Sequence, residues 1–581
     1  VNSESNHETG TVYVQTAEGW LCFYRPQRII TTENSNGVLH ALEEVDAATN
    51  RGLWAAGFVT YEAAPAFDAA FVTREKSTLP LLWFGIYNRA EKLDAFPTAT
   101  EEPEFHPEWK STISRDEYAA AIAQIKEHIA FGNSYQVNFT MRLRAAFAGD
   151  AWALFLSLIH PRESGYAAYV HTGNHVLCSA SPELFFELRG EEITCRPMKG
   201  TAPRGLTVED DYERKNRLVC SVKERAENVM IVDMVRNDLS RIAEPGSVHV
   251  PSLFDVERYD TVFQMTSTVK AWTREPLSKI FAALFPCASI TGAPKIRTMR
   301  IISELETSPR GIYTGCIGFA APDRRAQFNV AIRTVHVDRE KGLAEYGTGG
   351  GIVWDSKTED EFAEAHVKAA ILTVRRSEFQ LLETMLWRPG NGFFLLERHL
   401  NRLCASADYF GFHADREDIQ NRLVEFAVTF AQQPQKVRLR LEQNGAISIN
   451  AEPLANAGSR IWKIRLADKP VDVQDRFLYH KTTHRAVYEE ARQTQPDCDD
   501  VILWNPDGEI TESTIANVVV QKSGKLITPP IKCGLLGGTY RAYLLEKGRI
   551  HEDIVKKSDL PHVERIYLIN SVRGWIPAKL V

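Results

Sequence analysis

Residues 223–241, KERAENVMIVDMVRNDLSR, and 359–370, EDEFAEAHVKAA, each carry two glutamates three positions apart in a helical pattern: Glu224 and Glu227, then Glu361 and Glu364. A spacing of i,i+3 places each pair on one helical face. If the two faces meet, the carboxylates form a set suited to a hard, oxygen-seeking cation such as Mg2+. On spacing alone, two solvated faces are the commoner reading. These helices lie among strand patterns, which makes the first part of the chain a mixed α+β unit.

The chain has 581 residues, several times the roughly 100–200 of a typical domain. Hydrophobic residues are 44% and charged residues 25%, a globular composition that excludes a disordered or fibrous chain. The net charge of −7, with both signs interspersed, excludes the basic footprint of a nucleic-acid binder. No apolar run reaches the roughly 18–20 residues of a membrane span, and Val1-Asn2-Ser3-Glu4 lacks a signal pattern. Nine cysteines without a CxxC pair fit reduced thiols. A cytoplasmic protein that binds neither membrane nor nucleic acid is expected.

The chain changes character near residues 375–378, so two domains are expected, 1–376 and 377–581. In the first, Tyr118, Ile122, Ile125 and Ile129 form one apolar helical face, opened by a Ser114/Glu117 capping box and closed by Gly132-Asn133. In the second, Val437, Leu439 and Leu441 alternate with charges up to Asn444-Gly445, and Ile447 and Ile449 resume the alternation: a hairpin. Residues 505–508, NPDG, and Ser523-Gly524 mark further turns.

Two more features of the first half suit chemistry. Lys199, in CRPMKGTAPRG (195–205), is expected in a fixed Pro/Gly-rich loop, where Arg196 and Arg204 would lower its pKa if they approach it. On composition alone a solvated lysine remains the simpler reading. Thr291-Gly292-Ala293-Pro294-Lys295, before a helical pattern, and GTGGG (347–351) read either as glycine-rich anion sites or as tight turns. The second lacks the third glycine of a dinucleotide fingerprint.

The ordered motifs SASPELFFEL (179–188), CRPMKGTAPRG, residues 223–241, FPCASITGAPKIRTM (285–299), RGIYTGCIGF (310–319), FNVAIRTV (328–335) and residues 347–365 resemble the chorismate-utilising enzymes. Residues 57–68 are similar more weakly. The resemblance implies a sandwich of antiparallel sheets with helices. It implies chorismate as substrate and Mg2+ held by Glu227 and Glu364, with Glu361 close by. Gly292, Tyr313, Arg333 and the loop of Gly349, Gly350 and Gly351 would hold the substrate carboxylates. The lysine of the PMKGT segment resembles that of the aminodeoxychorismate synthases. Lys199 would then be the nucleophile and Glu183 the proton carrier. Gln264 stands where anthranilate-forming relatives have a histidine tied to pyruvate elimination, which implies a product that is not yet aromatic. The resemblance also implies a separate glutamine amidotransferase subunit as ammonia source.

In the second half, residues 479–485, YHKTTHR, Glu512 in GEITESTIANVVV (508–520), and LGGTYR (536–541) resemble the fold-type IV pyridoxal-phosphate enzymes, a D-amino-acid aminotransferase-like α+β fold. That group includes branched-chain aminotransferases and aminodeoxychorismate lyases. The resemblance implies Lys481 as the amine that takes the cofactor aldehyde, its neutral form favoured by His480, His484 and Arg485. Glu512 would pair with the pyridine nitrogen. Arg402, Thr539, Tyr540 and Ser571 would hold the phosphate, and a homodimer through this half follows by analogy. The two halves together imply a bifunctional route from chorismate and ammonia to 4-aminobenzoate and pyruvate. The alternatives are an anthranilate-type synthase, a C-terminal aminotransferase, or a degenerate interaction domain.

Overall fold

The computed structural model describes residues 8–75, 78–93, 96, 107–159, 165–372, 379–430, 432–454 and 460–581. The chain divides into two compact units: Val1–Pro203 with Lys215–Val374, and Arg204–Arg214 with Arg375–Val581. The boundary expected between 376 and 377 and the opening residues 1–4 lie outside the described residues.

The first unit is α+β and contains two ten-stranded antiparallel sheets. Val12, Phe23 and Leu177 from one sheet and Phe58, Trp83 and Phe319 from the other form a shared core. One sheet is covered on its other side by helices Ser35–Asn50, Val222–Ser240 and Leu277–Leu284. Val38, Leu42 and Val45 of the first of these are fully buried. Each such side chain contributes about 1.5–3 kcal/mol through loss of apolar surface to water.

The other sheet is covered by helices Arg115–Ala130, Ala151–Leu158 and Lys295–Leu305. The first of these is the expected one. Its N-terminus is closed by Glu117 N donating to Ser114 Oγ (3.2 Å) and Ser114 N donating to Glu117 Oε2 (2.7 Å), and Gly132 follows with φ +71°. Tyr118, Ile122 and Ile125 meet Val137, Phe139 and Met141 of the strand Gln136–Ala146. The alternate residues Gln136, Thr140 and Arg142 are buried and polar. Side chains alternate across a strand, so the same strand that buries an apolar face supplies a row of buried polar groups.

Two expected loops are strands. Residues 347–351 lie inside Leu343–Ile352, paired with Gln136–Ala146 so that Gly349, Gly350 and Gly351 face Thr140, Phe139 and Asn138. Lys199 lies in the strand Met198–Pro203, paired with Val262–Trp272. Local composition favoured turns at both places, and long-range pairing overrode it.

The second unit holds a four-stranded antiparallel sheet with helices Leu396–Phe410 and Arg416–Ala427 in its core, and an eight-stranded sheet with parallel and antiparallel pairs. The expected hairpin is present as Gln435–Leu441 against Ile447–Pro453, with Leu439 opposite Ile449. Gly508 and Gly524 take φ of +74° and +73° in the other two expected turns. No helix among the described residues is long and apolar enough to cross a membrane.

Candidate active sites

In the first unit, Glu224 and Glu227 of helix Val222–Ser240 and Glu361 and Glu364 of helix Thr358–Ala369 share one neighbourhood with Lys199. Lys199 Nζ lies 3.4 Å from Glu227 Oε2. The backbone of the lysine is fixed by Asn228, whose Nδ2 donates to Lys199 O (3.0 Å) and whose Oδ1 accepts from Ser267 Oγ (2.6 Å). The glycine strand makes room for these groups on both sides. A Cβ on Gly351 would lie 2.5 Å from Lys199 Nζ and 2.1 Å from Gln136 Nε2, while one on Gly350 would lie 3.3 Å from Glu361 Oε2.

The guanidiniums expected beside Lys199 are engaged elsewhere. Arg196 pairs with Glu257 (2.6 Å), and Arg204 belongs to the second unit, paired with Asp211 (2.7 Å). The lysine faces a carboxylate instead.

Glu183 is buried, accepts from Ser289 Oγ (2.6 Å), and takes a long contact from Met198 N (3.5 Å). Burial pushes its carboxyl up to about 7, against the opposing pull of Ser289, Met198 and Lys199. It is a buried acid whose proton is mobile near neutral pH. Gly292 has φ +132°, and a Cβ there would lie 2.1 Å from Gln136 O, so the backbone of Gly292-Ala293 closes on that strand as only glycine permits. Tyr313 is buried with the Arg142 guanidinium 5.2 Å from its ring centre, and Arg333 lies 5.6 Å from the ring centre of Tyr259. Thr201 Oγ1 donates to Gln264 Oε1 (3.0 Å).

The loop that carries Tyr313 is held by a carboxylate with no assigned role in the sequence reading. Glu62 accepts from Arg310 N (2.7 Å) and Gly311 N (2.9 Å). The guanidiniums of Arg310 and Arg142 share Glu306 in a buried ion network. Burial opposes the charge on Glu306, but the two guanidiniums outweigh it and hold the carboxyl below its ordinary value.

In the second unit, Lys481 sits beside the strand Leu381–Arg388, where Leu382 N donates to Lys481 O (3.0 Å). Burial first, then Arg402 and Arg485, lower its pKa to about 8, against Glu383 and Glu512. That shift raises the neutral fraction near pH 7 by between two and three orders of magnitude. The histidine expected to contribute does not carry charge: burial takes His480 down to about 3, and its Nδ1 is within hydrogen-bond distance of Ser406 Oγ (3.0 Å). His484 packs on Phe477, with ring centres 4.2 Å apart and planes tilted by 35°.

Glu512 is buried and accepts from Tyr488 OH (2.8 Å), Leu536 N (3.1 Å) and Asn517 Nδ2 (3.3 Å). Burial raises its carboxyl to about 7. Arg402 is locked by Glu383, donating from Nε (2.8 Å) and Nη2 (2.7 Å), and its Nη1 reaches Gly537 O (3.3 Å). His399, one turn earlier, shares Glu383 through Nδ1 (2.7 Å) and meets Thr539 Oγ1 through Nε2 (3.3 Å). Burial opposes ionisation of Glu383, but Arg402 and His399 bring it to about 2. Thr539 and Tyr540 begin the helix Thr539–Glu546, whose first N–H groups lack intrahelical acceptors. The Tyr540 ring packs on Phe394 and Tyr543, and Ser571 Oγ donates to Thr384 O (3.4 Å).

The profile described as chorismate binding enzyme matches residues 9–374. The chain belongs to the chorismate binding enzyme family. The profile for amino-transferase class IV matches residues 380–581 of this chorismate binding enzyme. Aminodeoxychorismate synthase component 1 of Klebsiella aerogenes is 40% identical over 262 residues, 45% of this chain and 58% of that protein. Aminodeoxychorismate synthase of Streptomyces griseus is 42% identical over 282 residues, 48% of this chain and 38% of that protein. The chain thus spans about half the length of the curated relatives it matches. The crystal structure of anthranilate synthase component I from Streptococcus pneumoniae is 24% identical with a TM-score of 0.55, covering 63% of this chain and 92% of that one. It is a likeness of fold.

Among the described residues of this chorismate binding enzyme, no three Asp, Glu, His or Cys side chains converge as metal ligands. Glu227 faces Lys199, Glu364 pairs with Lys368 (2.7 Å), and Glu361 accepts from Ser356 Oγ (2.6 Å). The expected ligands Glu227, Glu361 and Glu364 therefore share a neighbourhood without forming a closed set. Their chemistry still fits a divalent cation. Glu224 is pushed up by burial and then by Glu227 and Glu364, a crowding that a cation relieves. The second unit fits pyridoxal phosphate: a lysine with a raised neutral fraction lies near a buried carboxylate that accepts from Tyr488, Asn517 and the Leu536 N–H.

Sequence reading missed Glu383 as an anchor, His399, Tyr488 and Glu62. His399 and Arg402 stand three apart on one helical face, the signal that could have paired them. Glu383 and Glu62 meet their partners across distances in sequence that periodicity does not encode.

Proposed function

We propose that the first unit aminates chorismate at C4 to 4-amino-4-deoxychorismate and that the second eliminates pyruvate to leave 4-aminobenzoate. The observation that carries this reading is the placement of Lys199 Nζ among active-site carboxylates, 3.4 Å from Glu227 and against Gly351. The Lys199 amine adds at C2 while the C4 hydroxyl leaves. Glu183, with its carboxyl near 7, gives a proton to the departing C4 hydroxyl, which leaves as water, and then takes one from the incoming ammonia. Ammonia then enters at C4 as the lysine leaves. Glu227, Glu361 and Glu364 would hold Mg2+, which neutralises substrate carboxylate charge when bound. Gly292, Tyr313, Arg333 and the strand of Gly349, Gly350 and Gly351 would orient the carboxylates. Ammonia would come from a separate glutamine amidotransferase subunit.

In the second unit, pyridoxal phosphate when bound supplies the electron sink for proton loss next to the amine. Lys481 would hold the cofactor and move the C4 proton of the substrate. Glu512 would keep the ring nitrogen protonated, and Arg402, Thr539, Tyr540 and Ser571 would hold the phosphate. Loss of pyruvate makes the ring aromatic, which drives the step.

The test is product analysis with purified chain, chorismate, concentrated ammonium, Mg2+ and pyridoxal phosphate. Equal amounts of 4-aminobenzoate and pyruvate are expected. Formation of 2-aminobenzoate would replace the reading of the first unit with the anthranilate one, and glutamate formed from 2-oxoglutarate would make the second unit an aminotransferase.

Glu183→Gln separates catalysis from stability. Amination is expected to fall by about 10²–10⁴-fold, with loss of the pH-rate inflection near 7. Because the folded-state pKa lies above the ordinary 4.5, the wild-type proton stabilises the fold below that value, and the benefit is lost as pH rises through about 7. The melting temperature of the glutamine variant should therefore gain on wild type between pH 4.5 and 7 and then level off. A constant difference across that range would refute the assignment.

A further inference from the structure

The second unit contains eleven residues, Arg204–Arg214, that precede the rest of it by more than 150 positions. Arg204 is buried and makes a bidentate pair with Asp211, Nε to Oδ1 at 2.7 Å and Nη2 to Oδ2 at 2.9 Å. Its Nη2 also donates to Tyr409 O (2.9 Å), and its guanidinium lies 4.4 Å from the centre of the Tyr409 ring. Tyr409 OH returns a bond to Gly205 O (2.7 Å). Gly205 N donates to Asp211 Oδ1 (2.8 Å), and a Cβ on Gly205 would fall 2.1 Å from Asp211 N, so the turn is closed tightly on itself.

Tyr409 in turn packs on His480, with ring centres 4.2 Å apart and planes 30° from parallel. Ser406, one turn earlier on the same helix, is hydrogen-bonded to His480 Nδ1 (3.0 Å), and the Leu206 backbone lies against the same ring. His480 immediately precedes Lys481. The lysine's backbone is thus held from two directions: by Leu382 N on its own carbonyl, and by a neighbour whose ring is clamped between Ser406, Tyr409 and residues 204–206.

We propose that residues 204–211 are a positioning element of the Lys481 site, fixing the Tyr409–His480 pair and through it the backbone that presents the lysine. This rests on the reading of Lys481 as the residue that holds pyridoxal phosphate. Arg204 touches neither cofactor nor substrate; it acts through Tyr409 and His480.

The experiment uses the full chain. Pyridoxal phosphate is titrated into wild type, Arg204→Ala, Arg204→Lys and Tyr409→Phe, following the long-wavelength absorption of lysine-bound cofactor, its pH midpoint, and thermal unfolding. Arg204→Ala is expected to weaken cofactor binding about tenfold, the order of one hydrogen bond to a charged group, and to move the pH midpoint. Arg204→Lys should recover part of the loss, because it keeps a cation over the Tyr409 ring. Tyr409→Phe, which keeps the ring on His480 and loses the hydroxyl's bonds to Gly205 O and Arg476, should fall between wild type and Arg204→Ala. A folded Arg204→Ala chain with unchanged affinity and midpoint overturns the proposal. If that variant does not fold, unchanged values in both Arg204→Lys and Tyr409→Phe overturn it. Absence of the absorption from wild type overturns both this proposal and the reading of Lys481.

Discussion

Lys199→Ala is expected to remove chorismate amination, by at least about a thousandfold, while leaving the elimination of pyruvate from supplied aminodeoxychorismate intact. The geometry makes the prediction specific. The lysine's amine lies against Gly351 and 3.4 Å from Glu227, with its backbone tied to Asn228, so alanine removes the reacting group and leaves the strand pairing in place. Lys199→Arg should be no rescue. A guanidinium stays charged throughout the working range and supplies no nucleophilic amine. The check is product analysis with ammonium as nitrogen donor, with intact-mass detection of the substrate adduct formed when ammonium is withheld as a second readout. Normal amination by the alanine variant would leave the carboxylate cluster without its proposed nucleophile.

Lys481→Ala has the complementary effect. Chorismate and ammonium should yield 4-amino-4-deoxychorismate that accumulates, with 4-aminobenzoate formation down by at least about a thousandfold and the long-wavelength cofactor absorption lost. Alanine here also removes an amine that interacts with Arg402, Glu383, Arg485 and Glu512. The residues proposed to hold the phosphate, Arg402, Thr539, Tyr540 and Ser571, are untouched by this substitution, so the variant is expected to retain weak, non-covalent cofactor affinity. If 4-aminobenzoate formed at the wild-type rate, the second unit would have no catalytic part in the sequence of reactions.

Local features were legible in the sequence. The Ser114/Glu117 box, the apolar face from Tyr118 to Ile125 and the hairpin through Asn444-Gly445 each depend on residues within a few turns of one another, so periodicity and capping chemistry reported them directly. The two families were legible through the order of their motifs. What was not legible depends on distant partners. Five consecutive residues, Gly-Thr-Gly-Gly-Gly, read either as an anion site or as a tight turn until they pair with Gln136–Ala146, and the glycines then serve close approach rather than chain reversal. Arg204 was read beside Lys199 because five positions separate them, yet its guanidinium is spent on Asp211 and Tyr409. His480 was read as a charge that favours neutral Lys481, whereas its burial against Tyr409 and Phe410 strips that charge and leaves Arg402 and Arg485 to do so.

The discontinuity of the second unit bears on its inheritance. A gene cut near codon 375 would yield a downstream product missing eleven residues of its own folded body, and those residues would remain stranded in the upstream product. Swapping in a free-standing homologue would likewise give that segment a foreign surface to meet. Such a chain resists separation into interchangeable cassettes, and any lineage that splits it must first evolve a substitute for the borrowed turn.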